Sequence, residues 1–329
     1  MRRPIIFDVF NGDADGLIAR HQYRLKYPAL STLITGVKRN INLLNQLVNP
    51  AQAGADDEIF VFDISYDANR DAVGILLDRG VQITWFDHHR ADHLRHHPQL
   101  KTHINTDATT CSSLIVDNLL DGAYRHWAIA AAFGDNLHTQ AKLLASTAQL
   151  SDTQCAALQQ LGEVINYNAY GDTVTDLLVM PTDLAALLAT YASPFAFMAE
   201  VGLFGILVDG FNDDITRLSA LQPEYTDARV AAYILPDADW ARRVSGTFAN
   251  RCSRDFPDRA HIIATHKAAD TCIVSIRAPA NQPVGADLIA AHFGGGGRKS
   301  AAGINALPVA MLGKLIAVVR DAYGGTRRR

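Results

Sequence analysis

The first half of the chain alternates short apolar runs with stretches of helical periodicity. Four apolar runs have the length of strands: residues 4–10, 31–37, 58–65 and 81–87. The third run is apolar almost throughout, which is typical of a strand buried on both faces. Residues 15–27 and 67–80 predict helices between the strands. This alternation predicts a parallel sheet covered by helices, with any site at the carboxyl ends of the strands.

The second half of the chain begins with helices and returns to an α/β pattern. Helical periodicity dominates from Ser112 to about Thr190, and residues 193–225 predict a helical connector. The later strands are predicted at residues 228–235, 260–266 and 271–279, and the later helices at 237–253, 284–293 and 307–325. The pattern predicts two α/β domains, residues 1–195 and a smaller one at 228–325, joined by a linker at 196–227.

Composition narrows the class of protein. The chain has 329 residues, more than one ordinary core accommodates, and its net charge is −4. Proteins that track long nucleic acid carry basic surfaces, so we expect a small or short anionic substrate and no long duplex. Four cysteines without a Cys-x-x-Cys pair argue against structural zinc and predict reduced thiols in the cytoplasm. No stretch approaches the roughly 18 apolar residues of a membrane helix, so no membrane contact is expected.

Four polar clusters stand where strands of the first half are expected to end: "NGDADG", "FDIS", "FDHH" and "FGDN". Together they would place aspartates and two imidazoles at one mouth of the sheet: Asp13, Asp15, Asp63, Asp87, His88, His89 and Asp135. Such oxygen and nitrogen donors suit Mn²⁺, Mg²⁺ or Fe²⁺. Several carboxylates could hold two ions, which would stabilise the attacking and leaving oxygens of a phosphoryl displacement.

Each cluster also has a structural explanation. Asp13 and Asp15 could serve as a turn and a helix N-cap, Asp63 as a turn residue, Asp87-His88-His89 as a polar loop, and Asp135 as a helix cap. An EF-hand is disfavoured because Gly16 follows Asp13 by three positions instead of five. The predicted site would be absent if all four of these structural explanations were correct at once.

Two neighbouring groups of polar residues are left outside the predicted site. Four histidines lie on a polar stretch without paired carboxylates, which favours a solvated loop or helix face: His93, His96, His97 and His103. The segment "TTCSS" precedes a helix, and capping is an adequate explanation for its hydroxyl groups: Thr109, Thr110, Ser112 and Ser113.

In their order, "DADG", "FDIS", "FDHHR" and "GDN" resemble the four motifs of the DHH phosphoesterase superfamily. "SIRAP" followed by "GGGGRKSAAG" resembles the DHHA1 domain of its nanoRNase, cyclic-dinucleotide phosphodiesterase and RecJ-like branches. The resemblance covers almost the whole chain, and the glycine run argues against the pyrophosphatase branch. It implies a parallel-sheet DHH domain with flanking helices, a smaller α/β DHHA1 domain, and an active site in the cleft between them.

The resemblance also implies a metal centre. Asp13 and Asp15 would ligate separate ions, and Asp63 would bridge them. His88 and Asp135 would complete the shell of the second ion. Two Mn²⁺ ions are expected, with Mg²⁺ or another divalent ion as the alternative.

The resemblance gives the remaining residues of the site different roles, with two departures from the pattern. His89 would face the substrate phosphate, and Asp87 would orient an imidazole. Family members usually have His or Asp where this chain has Asn11, an amide that ligates without charge, so the first ion would bind more weakly. They usually have His where this chain has Arg298, which binds a phosphate or a purine edge but does not titrate near neutral pH.

The glycine run of the second domain suits anion binding, because glycine lets backbone amides approach a phosphate closely. The predicted substrate-binding residues are Arg277, Gly295, Gly296, Gly297, Arg298, Lys299 and Ser300. Their alternatives are a helix stop at Gly294, a flexible linker, and a solvated strand end at Arg277. A cleft between this surface and the metals would suit a substrate of two to a few nucleotides.

The leading functional hypothesis is a metal-dependent phosphodiesterase that hydrolyses short oligonucleotides or linear dinucleotides to mononucleotides through metal-activated water. One alternative is a phosphatase acting on a small 3′-phosphonucleotide, such as 3′-phosphoadenosine phosphate, or on polyphosphate. The other is a nucleotide-binding regulator with weak or no catalysis, which Asn11 and Arg298 keep open. A homodimer is an expectation from the family.

Overall fold

The computed structural model describes residues 3–48, 52–267 and 270–324. The chain divides between Asp209 and Gly210 into two compact units. One helix, Gly202–Leu218, crosses this division. The predicted domain limits at residues 195 and 228 stay predictions.

The first unit is built on a five-stranded parallel sheet of order β2-β1-β3-β4-β5. Its strands are β1 Ile6–Phe10, β2 Thr32–Ile34, β3 Glu58–Phe62, β4 Gln82–Asp87 and β5 Leu100–Ile104. The chain places β2 on one side of β1 and β3 on the other, so β1 and β3 flank a topological switch point. Ligands of open α/β sheets bind at such points, outside the carboxyl ends of the strands.

Ten α-helices accompany this sheet in the described residues up to 218. They are α1 Ala14–Lys26, α2 Asn45–Val48, α3 Tyr66–Asp78, α4 Ser112–Leu119, α5 Arg125–Gly134, α6 His138–Thr147, α7 Asp152–Asn168, α8 Pro181–Leu188, α9 Pro194–Glu200 and α10 Gly202–Leu218. The first of them begins where β1 ends, because the Asp13 carboxylate accepts a hydrogen bond from Gly16 N at 3.1 Å as an N-cap. The predicted capping role of Asp13 is therefore present.

Strand β5 was not predicted, because its sequence "LKTHI" is polar and it lies at an exposed edge of the sheet. It contains His103, whose ring stacks on Phe86 at 4.7 Å between ring centroids. Phe86 in turn stacks on Phe62 at 5.2 Å. The expectation that His103 lies on a solvated loop or helix was wrong, since edge-strand side chains pack on one face of their sheet.

The second unit has a six-stranded sheet of order β10-β11-β9-β8-β7-β6, in which only β7 and β8 pair in parallel. Its strands are β6 Tyr225–Thr226, β7 Val230–Leu235, β8 Ala260–Lys267, β9 Thr271–Arg277, β10 Gly296–Gly297 and β11 Ala301–Pro308. Its helices are α11 Asp239–Asp255, α12 Ala286–His292 and α13 Leu312–Gly324. The two units confirm the predicted α/β class.

The helix predicted at residues 307–325 begins later in the structure. Strand β11 ends at Pro308, a short 3₁₀ turn follows, and α13 begins at Leu312. The β11 sequence "AAGINALP" is rich in small residues with weak strand propensity, and pairing with β9 stabilises it.

Among residues 3–48, 52–267 and 270–324, no single helix has both the length and the apolar composition to cross a membrane. Within the same ranges, α9 and α10 taken together, across a bend of 83°, meet both criteria.

A buried aspartate on β1 fixes the position of α1. Asp8 is fully buried and accepts hydrogen bonds from Arg20 Nε at 2.9 Å, Arg24 Nη2 at 2.5 Å and Ser31 Oγ at 2.6 Å. Burial raises the pKa of Asp8, but the hydrogen bond and charge of Arg24 and the charge of Arg20 outweigh it, so this pKa lies below its ordinary value. The carboxylate thus joins β1 to the helix that begins at the predicted site.

We predict that Asp8→Asn lowers the free energy of unfolding by about 3–5 kcal/mol, because it leaves two buried guanidinium groups unpaired. The folded-state pKa of Asp8 is depressed, so its stabilisation is present above the ordinary value of 3.8 and is lost as pH falls through the folded value. Urea unfolding at neutral and acidic pH should show a shallower acid dependence for the variant. The matched control Asp78→Asn breaks an exposed pair with Arg95 and should cost under about 1 kcal/mol; equal losses would contradict the prediction.

Candidate functional site

The polar residues that follow three neighbouring strands emerge side by side. Asn11 N donates to Phe62 O at 3.2 Å, and Asp63 N donates to Phe86 O at 2.9 Å, so the ladder of hydrogen bonds continues past the strand ends. Strand β4 ends at Asp87. Because the strands are parallel and in register, the structure brings the residues after them to one edge of the sheet.

His88 lies at the centre of a cluster of carboxylates. Its Nε2 lies 3.3 Å from Asp63 Oδ1, 3.9 Å from Asp15 Oδ2 and 3.9 Å from Asp135 Oδ2. Its Nδ1 lies 3.1 Å from Thr110 O, a carbonyl that can only accept, so Nδ1 carries a proton and Nε2 faces the carboxylates. A backbone carbonyl on the far ring nitrogen is the usual way in which proteins orient a ligating histidine.

Ser112 and Ser113, the first two residues of α4, contact the site, although the sequence pattern left them outside it. Asp15 accepts hydrogen bonds from Ser112 N and Ser113 N, each at 2.7 Å. Ser112 Oγ donates to Asp63 Oδ1 at 3.1 Å. The amino end of α4 therefore stabilises the Asp15 carboxylate and braces Asp63, and the Ser-rich turn before a helix was the available signal in the sequence.

Asp63 has a left-handed backbone, with φ of 56°. Asp and Asn adopt this region more readily than other residues with a side chain, because their short polar groups bond locally. The conformation stops β3 and turns the chain at the switch point. Asp63 is therefore both a turn residue and a residue of the site.

The motif "FGDN" ends α5 against the start of α1. A Cβ on Gly134 would lie 2.5 Å from Ala14 Cβ and 2.8 Å from Gly162 O, so only glycine permits this approach. Asp135 follows as the C-cap residue and Asn136 takes φ of 65°, a common way to end a helix. The expectation that this motif follows a strand was wrong, since it follows α5, and the alternative that Asp135 caps a helix is present at the carboxyl end of α5. Asp135 lies at the negative end of α5, where a carboxylate needs a cation nearby.

Asp87 and His89 form a second, more exposed pair. Asp87 Oδ1 lies 2.7 Å from His89 Nδ1 and also accepts from the backbone amides of His88 and His89. His89 Nδ1 lies 3.7 Å from Asp63 Oδ1. The His89 side chain is 34% exposed, whereas that of His88 is 4% exposed. One imidazole thus lies among carboxylates, and the other lies beside them with access to solvent.

Asn11 and Asp13 both contact Lys38, a residue that was not predicted from the sequence. Lys38 Nζ lies 2.5 Å from Asp13 Oδ2 and 3.0 Å from Asn166 Oδ1. Asn11 Nδ2 donates to Lys38 O at 3.4 Å, and Asn11 Oδ1 accepts from Asp13 N at 3.4 Å. No motif marks Lys38, which comes from the loop after β2, so only the folded structure reveals the pair.

The crowding of these charges shifts their pKa values. Burial and the charge of Asp63 raise the pKa of Asp15 to about 6. Burial raises the pKa of Asp63 and of Asp135. Burial lowers the pKa of His88, but the hydrogen bond and charge of Asp63 outweigh it and raise the value to about 10. These directions show that the carboxylate cluster attracts positive charge.

The donor set around His88 fits a divalent cation. One imidazole nitrogen and three carboxylates converge within 3.9 Å, and ligand atoms of Asp63, His88 and His89 all lie within 4.8 Å of one another. Nitrogen and oxygen donors of this kind suit Mn²⁺, Mg²⁺ or Fe²⁺.

The predicted anion-binding residues lie together at one end of the second sheet. Gly296 and Gly297 pair with β11, and the turn at Arg298–Ser300 closes the hairpin with Arg298 N donating to Ala301 O at 2.8 Å. The side chains of this turn are exposed. Arg277 lies opposite Ala301 on β9 and donates twice to Asn250 Oδ1 at 3.1 Å, so it is a held side chain instead of a solvated strand end.

The glycines of this run serve different purposes. Gly294 ends α12 with φ of 78°, which is the helix stop given as an alternative. A Cβ on Gly295 would lie 2.2 Å from Gly303 O, whereas one on Gly296 would meet nothing within 4 Å. Close backbone packing therefore accounts for Gly295, and Gly296 is open to a ligand.

This chain resembles one known domain family and several solved structures. Residues 227–324 match the family model described as the DHHA1 domain. The exonuclease RecJ bound to manganese is similar in structure, with 17% identity, a TM-score of 0.65, and coverage of 98% of this chain and 90% of RecJ. Residues 227–324 therefore form a DHHA1 domain, and the whole chain shares the fold of RecJ.

Two other solved structures are similar to this chain in fold. The pGpG-specific phosphodiesterase PggH from Vibrio cholerae has 12% identity, a TM-score of 0.56, and coverage of 97% of this chain and 99% of PggH. RecJ in complex with Mn²⁺ from Thermus thermophilus has 15% identity, a TM-score of 0.57, and coverage of 97% of this chain and 52% of that RecJ. No curated protein matches the chain in sequence. At these identities the likeness shows the fold.

We predict that Gly295→Ala destabilises the DHHA1 domain by about 1–3 kcal/mol, because the added methyl group overlaps a backbone carbonyl of β11. Gly296→Ala is the matched control and should change the free energy of unfolding by less than about 0.5 kcal/mol. Thermal and urea unfolding of both variants check this. Equal losses would show that the glycine run has one structural purpose throughout.

Proposed function

We propose that this chain is a metal-dependent phosphodiesterase that hydrolyses short oligonucleotides or linear dinucleotides to mononucleotides. One observation carries the proposal: His88 Nε2 lies within 3.9 Å of the carboxylates of Asp15, Asp63 and Asp135 at the switch point of the sheet. These four residues would hold a divalent ion, with Mn²⁺ proposed and Mg²⁺ as the alternative.

The relatives support the reaction class. RecJ is described as an exonuclease and was solved with manganese, and PggH is described as specific for pGpG. Both descriptions concern nucleotide substrates. With a net charge of −4, this chain has weak electrostatic attraction for a long nucleic-acid duplex, which favours a short substrate.

The metal, when bound, would polarise a phosphoryl oxygen and lower the pKa of a water molecule. The protein's own part is to hold the ligands: Thr110 O fixes the ring of His88, and the amides of Ser112 and Ser113 orient Asp15. Because these supports are backbone groups, they hold the ligands in place before any substrate binds.

His89 is proposed to contact the scissile phosphate. Asp87 holds Nδ1 of this ring at 2.7 Å, so the ring orientation is fixed and Nε2 is left for a ligand. Burial lowers the pKa of His89, but the hydrogen bond to Asp87 and the charge of Asp63 raise it above its ordinary value. A protonated imidazole donates a charge-assisted hydrogen bond to a phosphate oxygen.

The hairpin turn of the DHHA1 domain is proposed to hold the other end of the substrate. Arg298 and Lys299 supply exposed cationic donors, Ser300 a hydroxyl group, and Gly296 leaves the place of a side chain empty. Arg277, held by Asn250, lies at the same end of the sheet. The location of the site in a cleft between domains, the homodimer and the cytoplasmic location stay predictions.

We predict that Asp63→Asn lowers Mn²⁺-dependent cleavage of a labelled dinucleotide by more than about 100-fold, because it removes a charge that the metal needs. Asparagine also adopts the left-handed backbone of Asp63, so the fold is kept. The matched control is Asp121→Asn, an exposed aspartate with φ of 53° outside the site. Its rate should equal that of the wild type. An active Asp63→Asn enzyme would rule out the proposed metal centre.

A substrate screen with Mn²⁺ separates this proposal from its alternatives. We expect turnover of di- to pentanucleotides to exceed that of 3′-phosphonucleotides, pyrophosphate and polyphosphate. Faster release of phosphate from 3′-phosphonucleotides or polyphosphate would favour the phosphatase. Binding of dinucleotides without turnover under any divalent metal would favour the regulator.

A further inference from the structure

We infer that the ammonium group of Lys38 occupies one of the two cation positions implied by the family resemblance, so that the centre holds a single divalent ion. This inference rests on the proposed metal-dependent function and specifies the metal content of that same site. It concerns the position next to Asp13, which the resemblance assigns to a metal ion of its own.

Lys38 is held at this position from several directions. Its Nζ contacts Asp13 Oδ2 at 2.5 Å and Asn166 Oδ1 at 3.0 Å. The same ammonium lies 5.5 Å from the ring centre of Tyr170, within the range of cation–π attraction. Its backbone N donates to Ala169 O at 2.9 Å, which ties the loop to the end of α7. The side chain is 24% exposed, so most of it is enclosed by these partners.

Asn11 braces the lysine instead of offering a charge. Its side-chain amide donates to Lys38 O at 3.4 Å, and its carbonyl oxygen accepts from Asp13 N at 3.4 Å. Both ends of the Asn11 side chain are thus engaged by protein. The chain lacks the charged ligand that family members have at this position and supplies a positive charge next to it.

The two sides of the centre therefore differ in what they can bind. Around His88, the carboxylates of Asp15, Asp63 and Asp135 converge on one imidazole nitrogen. Beside Asp13, the carboxylate already has an ammonium partner, and a divalent ion there would be repelled by that charge at short range. The geometry points to one ion at His88 and a fixed ammonium at Asp13.

Metal content and spin coupling test this directly. Purified full-length chain is saturated with Mn²⁺, the bound metal is counted after equilibrium dialysis, and electron paramagnetic resonance reports whether the bound ions are coupled. The variants are Lys38→Arg, which keeps the charge, and Lys38→Met, which keeps the length without it. Lys38→Gln serves if Lys38→Met does not fold, and Lys142→Met controls for loss of an exposed lysine.

We expect one uncoupled Mn²⁺ per chain for the wild type, Lys38→Arg and Lys142→Met, and two coupled ions for Lys38→Met or Lys38→Gln. Two coupled ions in the wild type would overturn the inference and leave the proposed function standing. One ion in the uncharged variants would also overturn it, because the ammonium would then not be what excludes the second ion. No bound Mn²⁺ in any protein would refute the proposed function itself.

Discussion

Mutual repulsion among buried carboxylates is the constraint on which this structure depends. Asp15 and Asp63 are almost fully buried, and Asp135 is largely so, all around a single imidazole. Like charges at such distances cannot all stay ionised without compensation. The protein compensates with backbone amides from α4, with the ring of His88, and with Lys38 on the far side of Asp13. A divalent ion bound there would complete that compensation, and this requirement is the physical reason to propose a metal at the centre.

Close backbone packing brings the carboxylates and the imidazole of the site together. Parallel strands β1, β3 and β4 end at the same level, so residues far apart in sequence become neighbours. Gly134 lets the end of α5 touch the start of α1, which carries Asp135 towards Asp15. Asp8 fixes α1 on β1 through two arginines.

The strand ends and the motif residues could be predicted from the sequence, because buried parallel strands are continuous apolar runs and a polar residue after such a run marks the mouth of the sheet. Three things could not. Lys38 comes from a loop without a motif, and its partner Asn166 is 128 residues away. Ser112 and Ser113 looked like ordinary caps, and only tertiary structure shows that Asp15 receives their amides. Strand β11 has weak propensity and exists because β9 pairs with it.

Crystals of the wild-type chain grown with Mn²⁺ and examined by anomalous scattering would test the central claim most directly. The account predicts an anomalous peak at coordination distance from His88 Nε2 and bounded by the carboxylates of Asp15, Asp63 and Asp135. The absence of a peak there at saturating Mn²⁺, or a peak held by other residues, would contradict it.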